Sequence, residues 1–317
     1  MKSWFARHRI AAGIVAMLLV VAGAAVYVVD TVRDQRGATP SAAAGGFRYV
    51  DNGGGRNQVS EVDSAGTRSV TDLACLRVYT AAGTTVCLRM STPGAFEAAV
   101  FSGDRAVRTV PLPGTPSRAR VSASGQIVSW TVFVTGDSYL APGGFSTRTG
   151  VLDLRTGALV ESLEGFSTIV DGVAEKRVDA NFWGVTVASD DRTFYATLGS
   201  GKSTWLVKGD LSTRSLSTVR SGAECPSLSP DEKRVAYKKR GGRLGGWRLF
   251  VLDFASGRES EVAGSDGVDD QAAWISDSML AYAKVRQGGT PSIWGSPLDG
   301  GESRELVVGA SSPSPRG

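Results

Sequence analysis

The feature that most constrains the fold is a four-strand unit that recurs along the chain. The unit is clearest in PSLSPDEKRVAYKKRGGRLGGWRLFVLDFASGRESEV, residues 226–262. There a first strand ends at a Ser-Pro-Asp turn, and an apolar strand follows at residues 234–237. A loop leads to a strand at 247–253, and an Ala-Ser-Gly turn precedes a last strand at 259–262. Short β-branched and aromatic runs between Gly, Pro, Asp and Ser turns predict an all-β domain.

Two landmarks of this unit recur at a nearly constant spacing. Turn serines align 40 and 47 residues apart, at Ser189, Ser229 and Ser276. The aspartate that ends the third strand recurs 43 and 46 residues apart, at Asp210, Asp253 and Asp299. This period is the size of a four-stranded propeller blade. Because one blade cannot bury its own apolar faces, the sequence predicts a β-propeller closed into a ring.

The same unit extends upstream with less regularity. Ser122 and Asp153 continue the series, residues 73–112 fit a further unit, and residues 47–72 fit another that lacks a strand. We therefore expect about six blades between residues 47 and 310, with five or seven as alternatives. Residues 135–149 and 165–179 are expected to be longer loops and weak candidates for specificity. Residues 311–317 (SSPSPRG) are expected to form a disordered tail.

The clearest of these units also resembles a known repeat. Residues 229–237 (SPDEKRVAY), followed by 249–253 (LFVLD) and a glycine turn, resemble the repeats of TolB-type propellers. That pattern is close to S-P-D-G-x-x-I-A-F, a basic loop and L-Y-x-x-D. Glu232 replaces the usual turn glycine, and Asp190 and Asp277 stand where the usual proline would be. The resemblance implies a propeller with an interaction role at the cell envelope. We expect neither the α/β domain of TolB itself nor the hydrolase domain of prolyl-oligopeptidase-type propellers.

An uncharged segment precedes the repeats. Residues 10–29 (IAAGIVAMLLVVAGAAVYVV) would span about 30 Å as a helix, the thickness of a hydrocarbon core. Basic residues precede it, so the positive-inside rule predicts a cytoplasmic stub at residues 1–9. Residues 30–46 predict a flexible linker. A signal peptide cleaved at the A-x-A site of residues 22–24 is the alternative. Either interpretation exports the propeller, as a single-pass protein on the outer face of the cell membrane or as a secreted domain.

Histidine content and charge exclude several functions. The only histidine is His8, so the folded region offers no Ser-His-Asp or Cys-His catalysis and no His-ligated metal. We expect no cofactor and no metal site. The net charge of +4 mildly favours anionic surroundings such as headgroups or wall polymers. No stretch combines clustered basic residues with regularly spaced aromatics, so nucleic acid is not an expected partner.

The three cysteines suggest one covalent bond. Cys75 and Cys87 flank a turn at residues 80–83, so we expect them on adjacent antiparallel strands, close enough for a disulfide. An oxidising compartment permits that bond. Two separate buried thiols are the alternative. Cys225 is left over and is expected to be buried and inert.

The densest basic run is KKRGGR at residues 238–243, in an expected loop between the second and third strands of its unit. The run offers a candidate patch for headgroups, wall phosphates or an acidic partner, and a solvated loop is the plainer interpretation. The candidate residues are Lys238, Lys239, Arg240 and Arg243.

Residues 196–203 (ATLGSGKS) match a relaxed phosphate-loop pattern. A phosphate loop must be followed by a helix, whereas the residues that follow here (TWLV) have the composition of a strand. We therefore predict a hairpin turn at this position and no nucleotide partner.

The leading functional hypothesis is a non-enzymatic scaffold that binds an envelope protein or ligand of unknown identity. Partners would meet one end face of the ring or its channel, where inter-blade loops converge. One alternative is a glycan hydrolase or lyase that uses paired carboxylates in the channel. Another is a membrane-anchored sensor, which would need a membrane partner because its cytoplasmic stub is too short for a signalling domain.

Overall fold

The structure is a computed structural model that describes residues 17, 20–22, 46–135, 145–174, 176–241, 245–285 and 289–316. The predicted stub, membrane segment and linker (1–9, 10–29 and 30–46) lie almost wholly outside these ranges. Residues 17 and 20–22 are helical. Within the described part of the chain, no helix combines the length and apolar character needed to cross a membrane.

Residues 47–315 form an all-β propeller of six blades, as the repeat period predicts. Blade 1 contains β1 (Phe47–Asp51), β2 (Gln58–Val62) and β3 (Arg68–Ala74). Blade 2 contains β4 (Arg77–Ala81), β5 (Thr84–Thr92), β6 (Ala95–Ser102) and β7 (Arg105–Leu112). Blade 3 contains β8 (Thr115–Val121), β9 (Ile127–Thr135), β10 (Phe145–Asp153) and β11 (Leu159–Val160).

Blade 4 contains β12 (Ser167–Val170), β13 (Val173–Ala174), β14 (Asn181–Val187), β15 (Thr193–Ser200), β16 (Ser203–Asp210) and β17 (Ser215–Ser221). Blade 5 contains β18 (Glu224–Leu228), β19 (Arg234–Arg240), β20 (Trp247–Asp253) and β21 (Glu259–Glu261). Blade 6 contains β22 (Ala273–Ser276), β23 (Met279–Val285), β24 (Pro291–Pro297) and β25 (Arg304–Val307). The last strand is β26 (Ala310–Pro315), and two short 3-10 helices lie at Gly53–Gly55 and Leu163–Gly165.

Both ends of the folded chain contribute to blade 1, whose strand order is β26-β1-β2-β3. Strand β26 pairs antiparallel with β1, with Pro315 opposite Phe47. It supplies the strand that residues 47–72 lack, so the expectation of a disordered tail at 311–317 and a propeller ending at 310 is wrong for 311–315. The polar Ser-Pro composition of this segment is not typical of a strand. The segment is a strand nonetheless because it pairs with β1 and its serine hydroxyls hydrogen-bond to the neighbouring blade.

Those serines attach blade 1 to blade 2. The Val78 N–H donates to Ser312 Oγ at 3.0 Å, and the Thr80 N–H donates to Ser314 Oγ at 2.7 Å. Strand β4 has a sheet partner only on its β5 side, so without these hydroxyls its inward N–H groups would be unsatisfied. Serine at alternate positions of β26 thus satisfies the inner edge of the next blade.

Apolar residues form a core cluster at each of the six junctions between neighbouring blades in the described chain. Val128 and Leu152 of blade 3 pack with Leu88 and Val100 of blade 2, for example, and all four are buried. Equivalent clusters lie between blades 3 and 4, 4 and 5, 5 and 6, 6 and 1, and 1 and 2. The junction between blades 6 and 1 joins the two ends of the chain, so closure buries apolar surface that an open chain of blades would expose.

Two local expectations need correction. The insert at 165–179 is not simply a loop, because β12 and β13 extend the sheet of blade 4 at its outer edge. The turn residue of blade 4 that corresponds to Ser229 is Ala188 and not Ser189. The N–H of Ala188 donates to the carbonyl oxygen of Thr193, as the N–H of Ser229 donates to that of Arg234.

Candidate functional site

The innermost strands of the six blades surround a central channel with two different mouths. We call the first the arginine mouth, a cavity of about 620 Å³ whose lining includes Arg77, Thr115, Asp269, Asp270 and Ser311. We call the second the apolar mouth after Tyr79, Leu228 and Trp274; this cavity of about 390 Å³ is also lined by the charged residues Glu232 and Arg316. The chain enters the propeller at Gly46, beside Arg316, which lies at the apolar mouth.

Three arginines on two adjacent innermost strands define the centre of the channel. Side chains alternate along a strand, so Ala119 and Val121 of β8 pack in the core while Arg118 and Arg120 share the opposite face. Arg77 begins β4 in the neighbouring blade. The arginine pair and its neighbour are thus brought together by blade packing and not by proximity along the chain.

Two of these guanidinium groups share Asp270. Arg118 Nη1 lies 3.4 Å from Asp270 Oδ1, and Arg77 Nη1 lies 3.9 Å from Asp270 Oδ2. Arg77 Nε donates to the carbonyl oxygen of Ser117 at 2.7 Å, and Arg118 Nη2 donates to that of Asp269 at 3.2 Å. Arg77 and Arg118 are therefore held in place by backbone acceptors as well as by the carboxylate.

Arg120 has no ion-pair partner among the described residues. Its guanidinium lies 4.4 Å from the centroid of the Tyr79 ring and donates to the carbonyl oxygen of Ala272. The Nε atoms of Arg118 and Arg120 are buried and have no hydrogen-bond partner within the described part of the protein. The cluster thus carries three positive charges against one carboxylate, in a place with little water to screen them.

The pKa shifts of these arginines and of Asp270 reflect the excess of positive over negative charge in the cluster. Burial lowers the pKa of both Arg77 and Arg120 below the ordinary arginine value, because nearby anions only partly offset the loss of water. Burial opposes ionisation of Arg118 too, but Asp270 raises its pKa above the ordinary value. Burial would raise the pKa of Asp270, whereas Arg118 and then Arg77 hold it below the usual range. The carboxylate therefore compensates Arg118 best.

A second charged group lies beside the cluster. Lys238 Nζ bonds Asp269 Oδ1 and lies 3.9 Å from Glu224 Oε2. Burial, and secondarily Asp269, raises the pKa of Glu224, while Lys238 opposes that rise. With Glu224 ionised, this group carries one net negative charge, so the two groups together retain one excess positive charge.

The predicted basic patch is divided by the fold. Residues 234–240 form strand β19, so the expectation that the basic run lies in a loop is wrong for residues 238–240. Lys238 and Arg240 lie over the Trp247 ring on one face, and Lys239 on the other face bonds Glu259 Oε1 at 2.7 Å. Long aliphatic stems packed on aromatic rings let these residues occupy a strand. Arg243 lies outside the described residues.

Cys75 and Cys87 form a disulfide with a Cα–Cα distance of 5.4 Å. Cys87 lies on β5, but Cys75 lies in the connection between β3 and β4, so the expected placement on two adjacent strands is wrong. The bond ties the link between blades 1 and 2 to the sheet of blade 2. Cys225 is a free, buried thiol at the start of β18.

Two other predicted features are resolved by the fold. The phosphate-loop look-alike is a hairpin between β15 and β16, with Ser200 opposite Ser203, as the sequence predicts. The described insert strands β12 and β13 lie at the outer edge of blade 4, whereas innermost strands line the channel. Within the described ranges, no group of three or more His, Cys, Asp or Glu could hold a metal ion.

Sequence reasoning missed the arginine cluster. Arg77 and Arg118 are 41 residues apart, which is one blade period, and each belongs to an innermost strand. Aligning the repeats by their innermost strands, rather than by their turns, would have shown that β4 and β8 each contain arginine, although at different positions of the strand. The turns drew attention because their Ser-Pro-Asp sequence is more distinctive than an isolated arginine.

The fold and channel define a six-bladed β-propeller with a basic channel. No family model matches the chain, and no curated protein matches it. Among solved structures, TolB from Acinetobacter baumannii is similar with a TM-score of 0.62 at 16% identity, over 90% of this chain and 69% of that one.

Two further solved structures are similar. A chain of the nidogen/laminin complex aligns with a TM-score of 0.56 at 10% identity, over 85% of this chain and 97% of that one. A putative TolB from Agrobacterium tumefaciens aligns with a TM-score of 0.52 at 11% identity, over 86% and 94%. These similarities support the TolB-like fold that the repeats predict, and at such identities they show the fold alone.

Proposed function

We propose that this protein is a non-enzymatic binding scaffold, held on the outer side of a membrane, that receives its partner at the arginine mouth of the channel. The observation that carries the proposal is the excess of buried positive charge at that mouth, because uncompensated buried charge is costly unless a partner neutralises it. The arginine mouth also lies at the opposite end of the channel from Gly46, where the chain enters the propeller.

The extracytoplasmic placement rests on two observations. The uncharged segment at residues 10–29 follows basic residues, which favours export of what comes after it. The disulfide between Cys75 and Cys87 suits an oxidising compartment. The similarity to TolB propellers is consistent with a binding role at the envelope.

The experiment is crosslinking in intact membranes of the source organism, with the full chain carrying an affinity tag. Three proteins are compared: wild type, Arg77→Gln, and Arg108→Gln as the matched control. Arg108 lies on the exposed outer strand β7, so its substitution removes the same charge away from the channel. We expect a partner that wild type and Arg108→Gln capture equally and that Arg77→Gln captures at least fivefold less. An identical set of captured molecules for all three would contradict the proposal.

A second candidate is the carboxylate-based glycan hydrolase or lyase. The observation in its favour is that Glu224 has a raised pKa and that Lys238 contacts both Glu224 and Asp269, a pairing that acid–base chemistry can use. Turnover on a panel of acidic glycans that is lost in both Glu224→Gln and Asp269→Asn would favour this candidate. The sensor hypothesis would require that a captured partner span the membrane.

A further inference from the structure

The channel contains more positive charge than its own carboxylates neutralise. Arg77, Arg118 and Arg120 face Asp270, while Lys238 faces Glu224 and Asp269. Four cations and three carboxylates leave an excess of one positive charge. On an exposed surface, water would screen this excess charge, but Arg120 is only 6% exposed.

Access to this charge exists from one side. Arg77 lines the arginine mouth with 26% of its side chain exposed, and the Arg118 side chain beside it is 13% exposed. The apolar mouth is lined by Tyr79, which covers Arg120 from that end. An incoming anion can therefore meet Arg77 first and Arg118 next.

The geometry points to a binding site for one anionic group, a carboxylate or a phosphodiester, at Arg77 and Arg118 in the arginine mouth. This inference deepens the proposed function and rests on it for its biological meaning. Guanidinium groups suit both anions because their N–H donors match the spacing of two oxygens. An anion bound at these two guanidinium groups reduces the excess positive charge of the channel.

The test is titration of the purified full chain at low ionic strength with two probes, acetate and dimethyl phosphate, followed by thermal unfolding and calorimetry. Sodium chloride at matched ionic strength provides the reference. A ligand that binds only the folded state raises the unfolding temperature in a saturable manner. We expect such a rise with at least one probe, beyond the effect of chloride. Acetate alone would indicate a carboxylate, dimethyl phosphate alone a phosphodiester, and both the shared anion chemistry.

The variants locate the site. Arg77→Gln should weaken binding by about ten- to a hundredfold, the usual loss for a hydrogen bond to a charged group. Arg77→Lys keeps the charge but loses the paired N–H donors of the guanidinium group, so it should bind about threefold to tenfold more weakly than wild type. Arg108→Gln should bind as wild type does. Unfolding temperatures without probe show whether each variant is folded, and the lysine variant keeps the test decisive if the glutamine variant is not.

Two results would overturn the inference: no saturable effect of either probe on wild type, or an equal loss in Arg77→Gln and Arg108→Gln. The outcome is separable from that of the proposed function. Saturable anion binding with an unchanged set of membrane crosslinks in Arg77→Gln would retain the site and reject the proposed function. Loss of a crosslinked partner in Arg77→Gln, with no binding of either probe to wild type, would retain the proposed function and reject the anion site.

Discussion

At the scale of single residues, Asp270 is central to the channel because it is the carboxylate that two half-buried arginines, Arg77 and Arg118, share. It is 8% exposed, and its Oδ1 also accepts the N–H of Gln271 at 2.8 Å. Its role is to compensate charge that the fold has already buried. Removing one member of such a group leaves the others uncompensated, which costs more than the pair contributes.

We predict that Asp270→Asn lowers the free energy of unfolding by about 3–5 kcal/mol, because the guanidinium groups of Arg77 and Arg118 then lose their carboxylate partner. Urea unfolding at neutral pH measures this difference. Asp104→Asn, in the exposed turn between β6 and β7, is the control and should cost less than about 0.5 kcal/mol. Equal costs for the two variants would show that Asp270 has no special role.

The pH dependence has a defined sign. The pKa of Asp270 in the folded protein lies below the ordinary value of 3.8, so its contribution is complete above that value and is lost as the pH falls through the folded pKa. Between about pH 5 and pH 2, wild type should therefore lose more stability than Asp270→Asn. Parallel stability curves for the two proteins over this window would contradict the account.

Residues also show where sequence reasoning stops. Glu232 departs from the turn glycine of the resembled repeat, and the sequence alone does not explain this departure. In the structure it adopts a positive φ of 57°, and its side chain accepts the N–H of Ser189 in the preceding blade. That contact compensates the backbone strain, and it exists only once two blades are adjacent. The sequence pattern of one repeat contains no information about which residue of the neighbouring blade will lie beside it.

At the scale of elements, strand β26 decides whether the ring closes. The hydroxyl oxygens of Ser312 and Ser314 each accept a hydrogen bond from a backbone N–H of β4 in the next blade. Its composition, ASSPSP, is typical of a disordered tail, so its role could not be derived from propensity. The clue was the incomplete first unit at residues 47–72, which required a strand from elsewhere in the chain.

We predict that Ser314→Ala lowers the free energy of unfolding by about 1–3 kcal/mol, because the Thr80 N–H is left buried without an acceptor. Ser311→Ala is the matched control, since Ser311 is also buried on β26 but its hydroxyl makes no hydrogen bond among the described residues. Chemical denaturation compares the two variants. A cost for Ser311→Ala as large as that for Ser314→Ala would contradict the role given to Ser314.

The disulfide stabilises the junction between blades 1 and 2. It links residues 12 apart in the sequence. Closing a loop of about this length lowers the entropy of the unfolded chain and so stabilises the folded state by about 3 kcal/mol. We predict that the double variant Cys75→Ala/Cys87→Ala loses about this much stability. Reduction should destabilise wild type by a similar amount and leave the double variant unchanged. Wild type that unfolds identically with and without reductant would show that the bond contributes nothing.

At the scale of the whole molecule, the ring was predictable and its channel was not. Recurring turns such as Ser-Pro-Asp and the spacing of Asp210, Asp253 and Asp299 report blade size, because each blade repeats the same local chemistry. The channel depends on which innermost strands become neighbours. Arg77, Arg118 and Asp270 come from three blades or their connections, so their meeting is a property of closure.

The central claim is that a partner enters the arginine mouth of a closed ring, and site-specific photocrosslinking tests it most directly. A benzophenone amino acid is placed at Thr115 or at Ala123, two exposed positions near opposite ends of β8 that line the arginine mouth and the apolar mouth respectively. The full chain is irradiated in membranes of the source organism. The account predicts adducts from position 115 and few or none from position 123. Adducts mainly from position 123, or equally from both, would contradict it.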